Sequence, residues 1–402
     1  MSELSQSNTI VERFDKIIFG LLMMFLLCSS FSIALTQIGY FGALILWIIK
    51  MLYARKNEFP QTELDYFFFA FIIAETIAAT FSYNKPVAFL YLQRRVLLLP
   101  IIYTIVGNVK SVKDLQYLFI ALMVSALGVS LWQTKDLLLH LGEFLHFQRR
   151  LGEFQIYMTA GGIMMIAGLL LLPILLHPET PKKIRWWTGL ALIPILTNLF
   201  FTFTRSSWLG FVAGVIVIGF VRTKKLLLIL LAALVIIIVV SPPEVQGRIF
   251  SIVDPNHYAN QTRINMWHVG WKMFLDNPLI GIGDIGTEVL WYRYSDLNWG
   301  PEGHLHNNLF HWLATLGLLG FTIVIALFVK LWLTIAKIEK RQRTDWFFGS
   351  IPLGALAVYA GFHINGLFEW NFGDAEIIML VWAITGMALA SRKLTPIQRA
   401  TV

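Results

Sequence analysis

The feature that most constrains this chain is a series of long apolar blocks, each about the length that crosses the hydrocarbon core of a membrane. Three of them, Ile17–Thr36, Leu115–Trp132 and Leu226–Val240, contain no charged residue. Charged residues make up 14% of the 402-residue chain, whereas soluble domains carry about 25%. One such block could lie in a soluble core, but a dozen could not. The sequence therefore predicts an all-α, polytopic membrane protein.

The apolar blocks divide the chain into about twelve predicted transmembrane helices. The predicted spans are residues 17–36, 38–53, 64–82, 87–108, 115–133, 156–176, 186–203, 206–221, 226–241, 306–333, 349–366 and 375–391. The polar, mixed-charge N-terminus has no clear cleavage site, so the first block is interpreted as a helix rather than a removed signal peptide.

We expect a single integral membrane domain with one long polar loop. Residues 1–240 hold helices one to nine and residues 306–402 hold helices ten to twelve with a cytoplasmic tail. Residues 241–305 form a periplasmic loop with short helices, including an amphipathic helix at Thr262–Leu275. Loops of this length inside a compact fold are usually functional.

The distribution of lysine and arginine predicts the orientation in the membrane. If the N-terminus is cytoplasmic, alternate connections should be basic, and six of them are. The basic residues are Arg55 and Lys56; Lys110 and Lys113; Lys182, Lys183 and Arg185; Arg222, Lys224 and Lys225; Lys337, Lys340, Arg341 and Arg343; and Arg392, Lys393 and Arg399. We expect both termini in the cytoplasm, and the formal charge of +8 reflects this topology.

Several classes of function are disfavoured. The single cysteine, Cys28, lies inside the first apolar block, so intrachain disulfides are excluded. The basic stretches lack interleaved aromatic residues, so no nucleic acid is expected. Gly281–Gly286 has the GxGxxG spacing without a preceding strand, and that match is a false positive.

Arginines on the predicted periplasmic face run against the topology rule and need another explanation. Arg205 lies between two apolar spans, where a guanidinium either reaches the interface along its own stem or is aimed at an anion such as phosphate. Arg263 opens the amphipathic helix and would alone be a solvated residue. Arg94 and Arg95 form a second pair, provided that the fourth span begins after a short interfacial stretch. Weaker candidates are Arg149, Arg150, Arg248 and Arg293.

Three histidines, His304, His306 and His311, lie where the long loop ends. His304 and His306 could hold zinc with an acid, for which Glu302 is the nearest carboxylate, but a third well-placed ligand is not evident, so no metal is expected. His306 is then either a structural residue at a helix start or a general base, since imidazole titrates near neutral pH.

The residues around His306 resemble a known family. His306-Asn307, nine residues and then Gly317-Leu-Leu-Gly320 resemble the pattern of bacterial O-antigen ligases (the WaaL family). The order of the other features is similar as well: an arginine after a threonine, R-x-x-x-W at Arg263, and D-x-P-L-x-G-x-G at Asp276. Wzy-type O-antigen polymerases and pilin oligosaccharyltransferases share this region.

The resemblance implies a GT-C-type glycosyltransferase that moves a glycan from undecaprenyl diphosphate to lipid A–core, without metal, nucleotide or other cofactor. His306 would be the base, and Arg205 and Arg263 would bind the donor diphosphate, with Arg94 and Arg95 as further candidates. Asn307, Glu369 and His304 could support them, although a structural role for Glu369 is equally open. The alternatives are a polymerase or oligosaccharyltransferase of the same superfamily and, from another class, a twelve-helix transporter, which would usually show two similar halves.

Overall fold

A computed structural model describes residues 2–286, 291–295 and 303–394 of the chain. Within these ranges the regular elements are helices. They are α1 (Ser2–Leu27), α2 (Ile33–Ala54), α3 (Asp65–Thr80), α4 (Lys85–Val96), α5 (Pro100–Asn108), α6 (Val112–Leu139), α7 (Leu141–Leu145), α8 (Tyr157–Leu176), α9 (Lys182–Phe201), α10 (Arg205–Val221), α11 (Lys225–Val240), α12 (Pro243–Phe250), α13 (Tyr258–Asp276), α14 (Trp291–Tyr294), α15 (Asn308–Gln342), α16 (Ser350–Asn365) and α17 (Ala375–Leu394).

The predicted polytopic helical bundle is confirmed. In the described part of the chain, seven helical segments are long and apolar enough to cross a membrane, one of them formed by α4 and α5 together, and α10 and α11 are shorter apolar helices. The long loop contains the short helices α12 and α14 and the longer α13, which covers the predicted amphipathic helix. The chain is thus a multi-pass membrane protein.

Two predicted spans contain a break between helices that the sequence did not indicate. The span 17–36 crosses a turn between α1 and α2, where the Ser29 hydroxyl donates to the Leu26 carbonyl and the Ser32 side chain caps α2. Serines at such positions satisfy backbone groups that would otherwise continue a helix. The span 87–108 is divided into α4 and α5 by residues 97–99. Pro100 has no amide hydrogen to continue the hydrogen bonding of α4, and it stands in the first turn of α5, where that hydrogen is not needed.

The centre of the bundle is formed by helices that are buried along most of their length. α8, α16 and α17 bury residues on every face, and α16 packs against α8, α10, α15 and α17. By contrast, α11 buries only Leu226, and α10 is the helix against which it mainly packs. Its remaining apolar residues suit a surface that faces lipid.

The connections between the helices gather at two ends of the bundle. Basic residues meet at one end, which we call the basic end: Glu63 binds Lys330 at 2.9 Å and Arg392 at 3.0 Å, and the Arg343 carbonyl accepts from Arg222 at 3.2 Å. The other end, which we call the site end, holds α12–α14 and the start of α15. His306 and the candidate arginines lie at the site end.

Candidate functional site

Two of the sequence motifs form one structural unit around a break in α15. Gly317 has φ +60° and ψ −169°, a backbone conformation that is essentially restricted to glycine. At the break, backbone amides and carbonyls of α15 on both sides of Gly317 lose their hydrogen-bond partners within the helix. The segment of the D-x-P-L-x-G-x-G motif, residues 278–283, lies along the break and satisfies them.

Four hydrogen bonds join this segment to α15. The amides of Ile282 and Gly283 donate to the carbonyls of Ala314 and Thr315, each at 3.0 Å. On the other side of the break, the Leu318 amide donates to the Pro278 carbonyl at 2.8 Å. The fourth bond joins the Leu319 amide to the Leu279 carbonyl at 3.1 Å. Irregular backbone at membrane depth requires such pairing. The two motifs are therefore needed together, because each supplies hydrogen-bond partners for the backbone of the other.

A buried ion network lies beside this unit. Arg95 binds Glu75 at 2.7 Å and also Asp284, whose carboxylate accepts from His311 Nε2 at 3.3 Å. Burial alone would raise the pKa of Asp284, but the charges of Arg95 and then His311 hold it well below its usual range. The Arg95 guanidinium is therefore occupied by two carboxylates. This ties α3 and α4 to the start of α15.

His306 lies in the turn that leads into α15 and has a left-handed backbone, φ +46°. Such a conformation is uncommon for residues other than glycine and must be held by its surroundings. Asn307 holds it: its side chain caps α15 by accepting from the amides of Leu309 and Phe310 at 2.8 and 3.1 Å. The same side chain donates to the Leu367 carbonyl at 2.9 Å, which fixes the turn to the loop between α16 and α17.

The His306 ring is oriented by Glu369 from that loop. The distance from His306 Nδ1 to Glu369 Oε2 is 2.9 Å, and Arg263 Nη2 donates to the other oxygen, Oε1, at 2.9 Å. Because a carboxylate only accepts, the neutral imidazole has its proton on Nδ1 and its lone pair on Nε2. An imidazole held in this tautomer is equipped to remove a proton from a hydroxyl.

Arg263 is placed by its own helix. Trp267, four residues further along α13 and therefore on the same face, stacks on Phe310 at 5.8 Å and also contacts Phe368. With the helix fixed in this way, Arg263 Nε donates to the Phe368 carbonyl at 3.0 Å. The R-x-x-x-W motif thus places an anchoring residue, Trp267, and a charged residue, Arg263, on the same face of α13.

Arg205, at the first turn of α10, is buried with 6% of its surface exposed. Its guanidinium donates to the Ser251 carbonyl at 2.5 Å, to the Ser251 hydroxyl at 2.9 Å and to Asn260 Oδ1 at 2.9 Å. All three acceptors are neutral. Among the residues that the structure describes, no carboxylate is bound directly to Arg205 to balance its positive charge.

Arg248 and Arg150, which were only weak candidates in the sequence, extend this positive region. Arg248 donates to the Phe203 carbonyl at 3.0 and 3.2 Å, and Arg150 lies over the ring of Tyr157 at 4.8 Å. Burial, followed by the charges of Arg205, Arg150 and Arg263, lowers the pKa of Arg248 to about 9. We call Arg150, Arg205, Arg248 and Arg263 the arginine cluster.

The arginine cluster is short of negative charge. Among the described residues, Glu369 is the carboxylate bound directly to one of these four arginines. Closely spaced cations in a poorly hydrated site repel one another, so an anion that enters the cluster is strongly favoured. The planar guanidinium fork suits phosphate oxygens in particular.

The structure separates the remaining predicted residues into two groups. His304, whose ring centre is 4.2 Å from that of His306, accompanies the candidate base. Burial, and then the charges of His306 and His311, lower its pKa to about 3. Arg94 and Arg95 instead belong to α4, away from the described contacts of the arginine cluster. Glu302 lies outside the described residues.

Residues 190–325, about a third of the 402-residue chain, match a family model described as O-antigen ligase. No curated protein matches the chain. The matched segment contains Arg205, Arg263 and His306, and the family supports a glycosyltransferase of the ligase or polymerase type with a lipid-linked glycan and a lipid acceptor as partners. Over this segment, the chain is similar to the O-antigen ligase family.

Proposed function

We propose that the protein is an O-antigen ligase that transfers a glycan from undecaprenyl diphosphate to a hydroxyl of lipid A–core. His306 is the general base of this reaction, and the arginine cluster binds the donor diphosphate. The observation that carries the proposal is the contact of His306 Nδ1 with Glu369 at 2.9 Å, beside an arginine cluster for which Glu369 is the one directly bound carboxylate among the described residues.

The proposed step is a single displacement. The acceptor hydroxyl oxygen forms a bond to the anomeric carbon of the donor glycan while the bond from that carbon to the diphosphate oxygen breaks. His306 Nε2 takes the hydroxyl proton and later releases it to water. Attack opposite to the leaving group inverts the configuration of the anomeric carbon.

The arginine cluster would stabilise the leaving group. Diphosphate departs with its charge increased, and positive groups already oriented at the place where charge develops are the most effective form of transition-state stabilisation. The low exposure of Arg205 strengthens this effect, because an interaction between charges is larger where water is excluded.

We also propose that the site end faces the periplasm and the basic end faces the cytoplasm of the inner membrane. The clustering of Lys330, Arg392, Arg222 and Arg343 at one end supports this orientation. An activated lipid then serves as the energy source, because ATP is not available on the periplasmic side.

A deletion strain tests the function and separates it from that of a polymerase. We expect long, unlinked glycan chains to accumulate on the lipid carrier, while the lipid A–core remains bare. A core that carries a single repeat would instead identify a polymerase. Complementation with Arg205→Lys, which keeps the charge but loses the fork, should restore transfer only weakly, whereas full restoration would contradict the diphosphate assignment.

A further inference from the structure

A large cavity opens on the opposite side of the α16–α17 loop from the arginine cluster. It has a volume of about 550 Å³, within the range of about 300–1,000 Å³ that is common for ligand sites, and it is bordered by α2, α4 and α17. We call it the α4 cavity. Its wall includes Trp370 and Phe372 of the loop that also carries Glu369.

The α4 cavity is polar at the site end and apolar deeper in the bundle. Gln37, in the second turn of α2, and Gln93 and Arg94 at the end of α4 form its polar part. Trp382 lies seven residues beyond the start of α17, which at about 1.5 Å per residue is roughly 10 Å deeper. Phe71 and Phe41 line the same deep, apolar part. This division suits a molecule with a polar head and a hydrocarbon chain.

The polar part of the α4 cavity carries a positive charge that a ligand can reach. Arg95 is engaged by Glu75 and Asp284, but in the described part of the chain no hydrogen bond or ion pair engages the neighbouring Arg94, whose guanidinium lies 5.5 Å from the Tyr91 ring centre. An arginine in this position favours an anionic, phosphate-bearing head group.

The loop between α16 and α17 connects this cavity to the candidate base. Phe368 and Glu369 face Arg263 and His306, whereas Trp370 and Phe372 face the α4 cavity. Trp370 also contacts His311 of α15, with the two rings tilted and their centres 3.7 Å apart. The loop is therefore a partition with a positively charged site on either side.

We propose that the α4 cavity holds an acyl chain of the acceptor lipid, with a phosphate of that lipid at Arg94. The inference rests on the proposed function, since transfer between two lipid-anchored substrates requires both to reach His306. With the donor diphosphate at the arginine cluster, the acceptor approaches from the other side of the partition. Donor and acceptor lipids then occupy separate sites.

A kinetic experiment tests the chain-binding role. Ala375→Trp fills the cavity at the first turn of α17, and the matched control Ile38→Trp adds the same ring next to Gln37 on an exposed part of α2. Displacing about two methylene groups should raise KM for lipid A–core by about tenfold. KM for the deacylated core and for the donor should not change. An equal rise for the deacylated core, or a rise only for the donor, would overturn the proposal.

Arg94→Glu tests the phosphate contact in the same assay. We expect KM for phosphorylated lipid A–core to rise, and the rise to disappear when the acceptor is dephosphorylated. The same rise for both acceptors would show that Arg94 does not recognise phosphate.

Photocrosslinking tests occupancy without any need for transfer. Leu90→p-benzoylphenylalanine places the probe in the cavity, with position 38 as the control. In vesicles that contain equal fractions of lipid A–core, phosphatidylglycerol and undecaprenyl phosphate, we expect preferential capture of lipid A–core at position 90. Preferential capture of either other lipid would contradict the proposal. If the protein captures lipid A–core but transfers no glycan, the proposed binding site is supported and the proposed function is refuted.

Discussion

At the scale of single residues, Glu369 connects His306 with Arg263. Its carboxylate accepts from both at 2.9 Å, so it fixes the imidazole tautomer and partly neutralises the arginine. We expect Glu369→Gln to lower kcat by roughly 10–100-fold, less than the full 10²–10⁴ that a general base contributes. The donor KM should not rise, because the substitution removes a negative charge beside the diphosphate.

Steady-state kinetics with purified protein measures this separation of kcat from KM. A Glu369→Gln variant with unchanged kcat would show that the carboxylate does not position the base. A variant that loses donor affinity alone would assign Glu369 to binding rather than to orientation.

His304 gives a prediction about acid stability. Burial, and then the charges of His306 and His311, lower its pKa to about 3, compared with about 6.5 in an unfolded chain. Between these values the unfolded state binds a proton that the folded state does not, so folding stability falls as the pH decreases through this range. We expect His304→Phe to lose less thermal stability than the wild type between pH 6.5 and pH 4. Identical pH dependence of the melting temperature would refute this.

The candidate residues could be found from the sequence to different extents. His306 and Arg263 stand within recognisable sequence motifs. Glu369 contacts both of them but lies far from each in the chain, so no local pattern identifies it. Arg248 was only a weak candidate, because an arginine in a polar loop is usually solvated. Its burial beside Arg205 depends on how α12 folds back onto the start of α10, which no local pattern encodes.

At the scale of the helices, the break in α15 makes a sharp prediction. A Cβ on Gly317 would lie 2.5 Å from the backbone of Leu279 and Ile280, and its φ/ψ region costs other residues about 1–3 kcal/mol. We expect Gly317→Ala to lower both the melting temperature and the transfer rate, because residues 278–283 can no longer pair with α15.

Gly128→Ala in α6 is the matched control, since a Cβ there meets no atom within 4 Å and alanine favours a helix. Thermal unfolding in detergent compares the two. If Gly317→Ala is as stable and as active as Gly128→Ala, the break does not organise the site.

The helices were predictable from apolar length, but their ends were not. Ser29 and Ser32 end and begin helices inside a block that reads as one span, because their hydroxyls satisfy backbone groups that hydropathy does not represent. The division of α4 from α5 was likewise hidden in an apolar run. Arg94 and Arg95, in the last turn of α4 before this division, both line the α4 cavity, and Arg95 is also held in an ion network.

At the scale of the whole molecule, the two ends of the bundle predict opposite accessibility. Cys28 is buried, so a single introduced cysteine can be labelled selectively. We expect Asn256→Cys at the site end to react with a membrane-impermeant maleimide in spheroplasts, and Lys183→Cys at the basic end to react only after permeabilisation. Both positions are exposed. The reverse pattern would place the candidate base on the cytoplasmic side.

The central claim is that His306 acts as the base in glycan transfer to a lipid acceptor. Its most direct test is the transfer rate of purified His306→Ala with undecaprenyl-diphosphate-linked glycan and lipid A–core, measured beside the wild type. We predict a loss of about 10²–10⁴-fold in kcat with the donor still bound, because the base acts only as the hydroxyl attacks. A variant that folds and transfers glycan at the wild-type rate would contradict the mechanism.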